Sequence, residues 1–441
     1  MSKKGQITVY IILGLAILLV AGLMIYSTFA PSKIEIKVSP EVRPVYDLVV
    51  QCTSQAAKQG IVRLGAQGGF MNIPPAISKS PNSYLQLDPF GAFKIPMWFY
   101  EGEDRTPSIK YMESELSKYV RDALPQCLNN FEIIKGKSVR AISEVKVTST
   151  FTDNSVQTKL EWPLEITSAG QKTVQDVFIS ELDVKIKKAW QLADAFMKTE
   201  NKQKLFEKMT MDLISISPNI PISGMEFSCS KKKWNIQDIK TELQQTLQYN
   251  VPIVRIKNTN SLPFQESASV YTGLSKSKDK IYSELEAYTE KKDTEGKYVE
   301  GDAPNFEKLN APSNAPEDAY DYFHSNFDVG KSSELKAGFS YVPEYGMSIN
   351  AKPNAGGNME SNLMKGARKY LNFMCVNQWH FAYDIIYPLL MSVKDDNAFD
   401  KQGFTFQMAF PVLINSNEGQ RVTFGHRSFE SIDYDTEYCQ Q

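Results

Sequence analysis

The sequence predicts an α+β fold in which antiparallel sheets are packed by helices, set behind a single N-terminal transmembrane helix. Three patterns carry that prediction. An unbroken apolar run occupies Ile7 to Tyr26, and about 20 residues at about 1.5 Å rise cross the roughly 30 Å hydrocarbon core of a bilayer. Apolar residues recur at three and four positions around Val45 to Leu64 and Ile109 to Phe131, the period of an amphipathic helix. Strict alternation then appears at 145–151, 160–166, 178–186, 381–393 and 404–414, the period of a strand with one buried face.

The opening segment fixes the expected location. A cleaved secretory signal has an apolar region of about 7 to 15 residues, shorter than this run, so the segment is expected to stay as an anchor. Thr28, Ala30 and Pro31 leave cleavage after Ala30 as the alternative. Charge does not orient the span, because Lys3 and Lys4 on one side are matched by Lys33, Lys37 and Arg43 on the other. Lys3, Lys4, Gly5 and Gln6, followed by Ile7 and Thr8, resemble the class III signal of archaeal type IV pilins and related surface proteins. In that family a prepilin-type peptidase cuts after the glycine. The resemblance implies a processing site at Gly5 and Gln6, a cytoplasmic leader over 1–5, a membrane helix over 6–30, and a large extracytoplasmic C-terminal part. Where the family carries a glutamate at the fifth mature position, this chain has Tyr10. The resemblance therefore implies a processed anchor more directly than a polymerising subunit.

Beyond the anchor, roughly 410 residues are enough for two or three domains. Net charge of −2, from 49 basic and 51 acidic residues, argues against nucleic acid as a partner, which needs a clustered basic excess. Lys231 to Lys233 is the one basic run and reads as a solvated turn. Five cysteines occur without a CxxC spacing, so a thiolate metal site or a redox dithiol is not expected. Widely separated cysteines in a translocated chain point to long-range disulfides. Cys52 and Cys127 each fall on the apolar stripe of a predicted helix and are paired; Cys229 and Cys375 lie beside predicted core strands and are paired next. Cys439 is left odd.

Residues 31–135 read as a helical hairpin joined by a loop rich in Gly, Pro and aromatics. Its first helix spans Val45 to Leu64, and its second carries Ile109, Met112, Leu116, Val120, Leu124, Cys127 and Phe131, with Pro125 expected to kink or divide it. Residues 136–260 read as an α+β unit. Its three-stranded meander is expected to be covered by helices over Lys188 to Ile216, followed by a strand at Met225 to Trp234, a helix opened by Asn235 and Asp238, and a strand at Val251 to Ile256. Residues 261–335 are too polar for a core and read as a linker or insertion. Residues 336–441 read as mostly β, with Pro388 and Pro411 expected at an edge, a bulge or the non-bonded side of a ladder.

No phosphate loop, nucleophile elbow or zinc-protease helix is present. His324 follows Glu317 and Asp321 at helical spacing, which reads as a solvated face. His380 lies near Cys375, yet a thiol expected to be oxidised is no nucleophile; His426 stands in a surface-like Gly-His-Arg. Aromatic groups at Trp98, Phe99 and Tyr100 and at Tyr320, Tyr322 and Phe323 are expected in packing before ligand contact. No catalytic residue, metal ligand or cofactor is assigned. The resulting expectation is a single-pass, membrane-anchored cell-surface protein with a structural, adhesion or pilus-like role. Its expected partners are the lipid bilayer, a prepilin-type peptidase and surface or like subunits. The alternative is a tethered hydrolase built from dispersed carboxylates, or a tethered solute receptor.

Overall fold

The computed structural model describes residues 38–87, 94–217, 219–262, 326–331, 333–365 and 375–419. These residues form an α+β fold of antiparallel sheets packed by helices. No helix among them is long and apolar enough to cross a membrane. The expected leader and span at 1–30, most of the polar 261–335 segment, Cys439, His324 and His426 lie outside the described residues.

Helix α1 (Arg43–Ala66) starts on Pro44 and ends before Gly68 and Gly69, whose φ of 62° and 88° reverse the chain. Helix α2 (Ile109–Leu128) starts at Ser108, whose hydroxyl accepts from the Tyr111 N–H at 3.1 Å. Met112, Leu116, Val120, Leu124 and Leu128 form its buried stripe. Pro125 does not divide the helix, which runs past it to Leu128 and closes on Asn129 in the left-handed conformation. A proline four residues from the end removes one helix bond, and the Asn129 N–H donates to the Pro125 carbonyl. The helices touch at Gly60, where a Cβ would meet Leu116 Cδ1 at 2.5 Å, and a disulfide joins Cys52 to Cys127 with Cα atoms 5.7 Å apart. Cys52 is buried, whereas Cys127 stands at the exposed border of the stripe.

The meander comprises β3 (Lys137–Ala141), β4 (Lys146–Phe151), β5 (Ser155–Ser168) and β6 (Gln171–Asp183), after the short hairpin strands β1 (Tyr84–Gln86) and β2 (Lys94–Pro96). Strands β3 and β4 lie end to end on one side of β5, and β6 lies on the other. Its buried face, including Val156, Leu160, Leu164, Ile166 and Phe178, is covered by α1 and α2. The helices over 188–216, expected to cover it, do not. Those helices, α3 (Ile186–Gln203) and α4 (Leu205–Ile216), pack instead on the C-terminal sheet. They are separate helices because Lys204 takes a left-handed φ of 54°, and the Glu200 carboxylate accepts from the Leu205 and Phe206 N–H groups that open α4.

Strand β7 (Ser223–Phe227) is followed by a turn, β8 (Lys233–Asn235) and helix α5 (Ile236–Asn250). The continuous strand expected over Met225 to Trp234 is thus two strands, broken where Cys229 and the lysines sit. Val251 to Ile256 is likewise a 3₁₀ turn over Val251–Ile253 and a two-residue strand at Arg255–Ile256. Next come β9 (Thr259–Ser261), β10 (Ser333–Ser340), β11 (Ser348–Lys352), β12 (Asn358–Glu360), β13 (Asn362–Lys365), β14 (Cys375–His380), β15 (Ala382–Asp395) and β16 (Phe404–Asn415).

Strand β15 is the spine of the C-terminal sheet: β16 runs along one flank, while β10 and β11 share the other. Strand β10 pairs with 390–394 and β11 with 382–386, which leaves Pro388 at the break between them. Pro388 and Pro411 face each other across β15 and β16. In β16 the Ala409 carbonyl and the Leu413 N–H both turn outward, to the Trp98 N–H and the Glu207 carboxylate, so Pro411, of the same parity, also turns its nitrogen outward. Neither ring removes a bond from the shared ladder.

Both faces of this sheet are buried, where one was expected. Phe339 and Phe410 pack with Phe196 of α3 and Phe206 of α4 at ring separations of 4.8 to 5.7 Å. On the opposite face Leu390 and Ala409 meet Leu85 and Ile95 of the β1–β2 hairpin. The aromatic loop is therefore a lid on the sheet, with Trp98 fully buried and its indole N–H donating to the Gly68 carbonyl at 2.9 Å. A single apolar core runs from α1 through the meander to β16.

Candidate functional site

Burial concentrates the carboxylates of this fold where the backbone needs acceptors. The Glu207 carboxylate accepts from the Leu413 N–H at 3.1 Å, Asp384 from the Ser416 N–H at 2.8 Å, and Asp395 from the Lys185 N–H at 3.1 Å. Asp384 also pairs with Lys352 at 3.0 Å. Tyr387, on the face packed by α3 and α4, exchanges a 2.6 Å hydrogen bond with Thr210, and burial first, then the nearby carboxylates, pushes its phenol well above the ordinary range. These groups are wedged into the core and hold strand ends.

Shallow cavities open on the surface of the described residues. One, of about 380 Å³, lies between α2 and β4 and is bordered by Lys118, Arg121 and Lys146. A second, of about 470 Å³, is bordered by Lys188, Lys331 and Glu334. In the second, Lys188 and Glu334 are paired with each other at 2.7 Å. No cluster of three His, Cys, Asp or Glu able to hold a metal occurs among the described residues.

Among the described residues, a feature without a structural explanation is the three-stranded sheet β13–β14–β7. Its rows are Met364, Val376 and Phe227, and Asn362, Gln378 and Met225. Met225 is 63% exposed, Phe227 70% and Met364 46%, so one face of the sheet presents large apolar side chains to solvent. Its other face is fixed from within. Gly224 lies against the Trp379 indole, where a Cβ would come within 2.4 Å of the ring, and Trp379 packs on Trp234 at 5.2 Å.

A disulfide between Cys229 and Cys375 staples β14 to the turn after β7. The Asn377 amide donates to the Ser228 and Ser230 carbonyls at 2.7 and 2.8 Å, and its oxygen accepts from the Ser361 hydroxyl at 2.6 Å. The turn is thereby rigid. Lys231 and Lys233 grip Glu360 from both sides and hold its carboxyl down at about 2. Lys232 pairs with Glu226 and rests 5.3 Å from the Trp379 ring. The basic run is solvent-exposed at Lys231 and Lys233, as a solvated turn should be, and its charges are matched by Glu360 and Glu226.

The sequence-derived residues are distributed as follows. Both cysteine pairs, Cys52 with Cys127 and Cys229 with Cys375, are disulfides. His380 is exposed at one end of β14, and Cys375, at the other end of the strand, is held in a disulfide and has no thiol to offer. Trp98 and Tyr100 are buried. Gly5, Gln6, Tyr320, Tyr322 and Phe323 lie outside the described residues. The exposed row of β7, where Met225 and Phe227 alternate with Gly224 and Glu226, is not distinguishable in sequence from a buried strand, which shows the same alternation. No family model matches the chain, and no curated protein or solved structure is similar to it.

Proposed function

We propose that this chain is a membrane-anchored, non-enzymatic cell-surface protein whose contact region is the exposed apolar face of β13–β14–β7. The observation that carries the proposal is the combination of two long-range disulfides with a rigid, apolar, solvent-facing sheet at one of them. Disulfides persist where the environment is oxidising, which supports a translocated C-terminal part behind the Ile7 to Tyr26 span and the Gly5–Gln6 head. The buried carboxylates are spent on backbone N–H groups, which favours a structural role over the hydrolase alternative. Under this reading the prepilin-type peptidase is a processing partner and the bilayer a permanent one.

Mass spectrometry of the natively expressed chain under non-reducing conditions tests the proposal. An amino terminus at Gln6, together with crosslinked peptides holding Cys52 with Cys127 and Cys229 with Cys375, is the expected result. An intact Met1 with free thiols in a soluble fraction overturns it.

A further inference from the structure

We propose that β7 is the edge through which two copies of this protein join, antiparallel, about Met225. The proposal rests on the reading of β13–β14–β7 as the contact region and goes beyond it by naming the partner. It does not depend on the anchor.

The phase of the ladder shows which groups are available. The Ile222 carbonyl accepts from the Phe381 N–H, and β7 pairs with β14 in antiparallel register from Ser223 with His380 to Phe227 with Val376. Because antiparallel pairing alternates, residues 222, 224 and 226 turn their backbone toward β14. Ser223, Met225 and Phe227 turn theirs outward, along an edge that carries no further strand among the described residues. The same three residues put their side chains on the exposed face.

Several other edges among the described residues are capped, paired or charged. The outward N–H groups of β4 at Ser149 and Phe151 donate to Ser117 and Glu113 of α2, at 2.8 and 2.7 Å. Strand β16 is closed by Trp98, Glu207 and the short strand Glu418–Gly419. Strand β6 carries Lys172, Asp176, Glu181 and Asp183 along its length, the charge that keeps an edge from pairing. Strand β7 has Glu226 alone, and Lys232 already neutralises it.

Self-pairing satisfies this edge. With Met225 opposite Met225 of the second copy, Ser223 falls opposite Phe227, and all three outward residues exchange N–H and C=O bonds across the two-fold axis. Met225 and Phe227 of both copies then join into one apolar strip. On the other face Glu226 falls opposite Gly224, so no like charges meet directly. The edge is complementary to itself in backbone, apolar side chains and charge, the condition for an isologous contact.

The test uses the full chain in detergent, in a Cys439→Ser background, and reads its mass by light scattering. In a hydrogen-bonded antiparallel pair the facing Cα atoms lie about 5.5 Å apart, within disulfide reach. Met225→Cys is therefore expected to give a covalent dimer under mild oxidation, and Val174→Cys, exposed on β6, is not. Met225→Pro removes an outward N–H without touching the β14 ladder and is expected to weaken the dimer by about tenfold or more. Phe227→Lys, a change confined to the exposed face, is expected to do the same and serves if the proline variant fails to form both native disulfides. A chain that stays monomeric, crosslinks equally at 174 and 225, or dimerises regardless of both variants overturns the proposal. A monomer processed at Gln6 would refute this inference and leave the anchored surface protein standing.

Discussion

Removing the Cys52–Cys127 disulfide is expected to cost this protein about 4 kcal/mol, nearly all of it through the unfolded chain. The bond closes a sequence separation of 75 residues, for which the loop-entropy relation gives about 4.5 kcal/mol at 25 °C. The folded side of the balance is nearly silent, because Cys127 is exposed and Cys52 loses only a sulfur from a well-packed interface. The perturbation is Cys52→Ala with Cys127→Ser in the full chain. Guanidinium unfolding, followed by tryptophan fluorescence and by pulse proteolysis, supplies the assay. Since α1 packs on α2, on β6 and on β16, both probes should shift together. A midpoint shift worth less than about 1 kcal/mol would refute the reasoning, because residual structure in the denatured chain would then be holding the helices together already.

Three further outcomes follow from single features. Glu113→Ala and Ser117→Ala each leave an edge N–H of β4 without its acceptor, at Phe151 and Ser149 respectively, a loss of about 1 to 2 kcal/mol; hydrogen exchange at those two amides should accelerate while β5 amides hold. At alkaline pH the buried phenols dominate: burial pushes Tyr341 up to about 12, and Tyr383 and Tyr387 rise for the same reason. Stability is then fully present below pH 10, where unfolded tyrosine stays neutral, and falls as pH rises from 10 to 12, by about 2 to 3 kcal/mol for Tyr341 alone; a flat denaturation midpoint across that window would contradict it. At acid pH the sign reverses for Glu360, whose carboxyl is held down at about 2 by Lys231 and Lys233. Its contribution is present above about pH 4.5 and fades toward pH 2, so carboxyl chemical shifts should show it titrating last among the exposed glutamates, and Glu360→Gln should lose that acid-range dependence.

Periodicity states which face of an element is buried and not what buries it, and the sequence reading divided along that line. The stripes of α1 and α2, the meander, β15 and β16 were legible because each repeats its period for several turns or residue pairs. From the stripes came the first disulfide, and from neighbouring strands the second. What covers the meander was not legible, since an apolar face on α3 fits either sheet; chain order suggested the wrong one. Nor was the double burial of β15. Ile386 and Leu390 are buried on the face opposite Tyr387 and Leu389, and the hairpin that packs on Leu390 comes from 84–96, far away in sequence. Caps such as Glu113, Ser117 and Glu207 left no local trace, because a carboxylate beside an apolar stripe looks like ordinary helix surface until the strand edge is in place. In the candidate contact face, the alternation of Met225 and Phe227 was visible, yet alternation alone does not tell an exposed apolar row from a buried one.

Small residues account for the remaining surprise, the central position of α1, and they give it a test. Besides Val45, Val49 and Cys52, the helix buries Thr53, Ala56, Ala57, Gly60, Ile61 and Gly65, a much wider arc than its large apolar residues mark. Gly65 is where α1 meets β16: a Cβ there would lie 2.5 Å from the Thr405 carbonyl oxygen and 2.6 Å from the Phe404 ring. A backbone oxygen in a paired strand has little room to yield, so Gly65→Ala should lose about 1 to 3 kcal/mol through overpacking, despite the gain in helix propensity of about 1 kcal/mol that the same change brings on an open helix face. The damage should be directional. Amides of β16 are expected to exchange faster while those of β4 and β5, which rest on the disulfide-linked side of the hairpin, keep their protection. Equal loosening of both sheets, or unchanged stability, would mean that α1 joins them through its large side chains alone and that the close approach at Gly65 carries no weight.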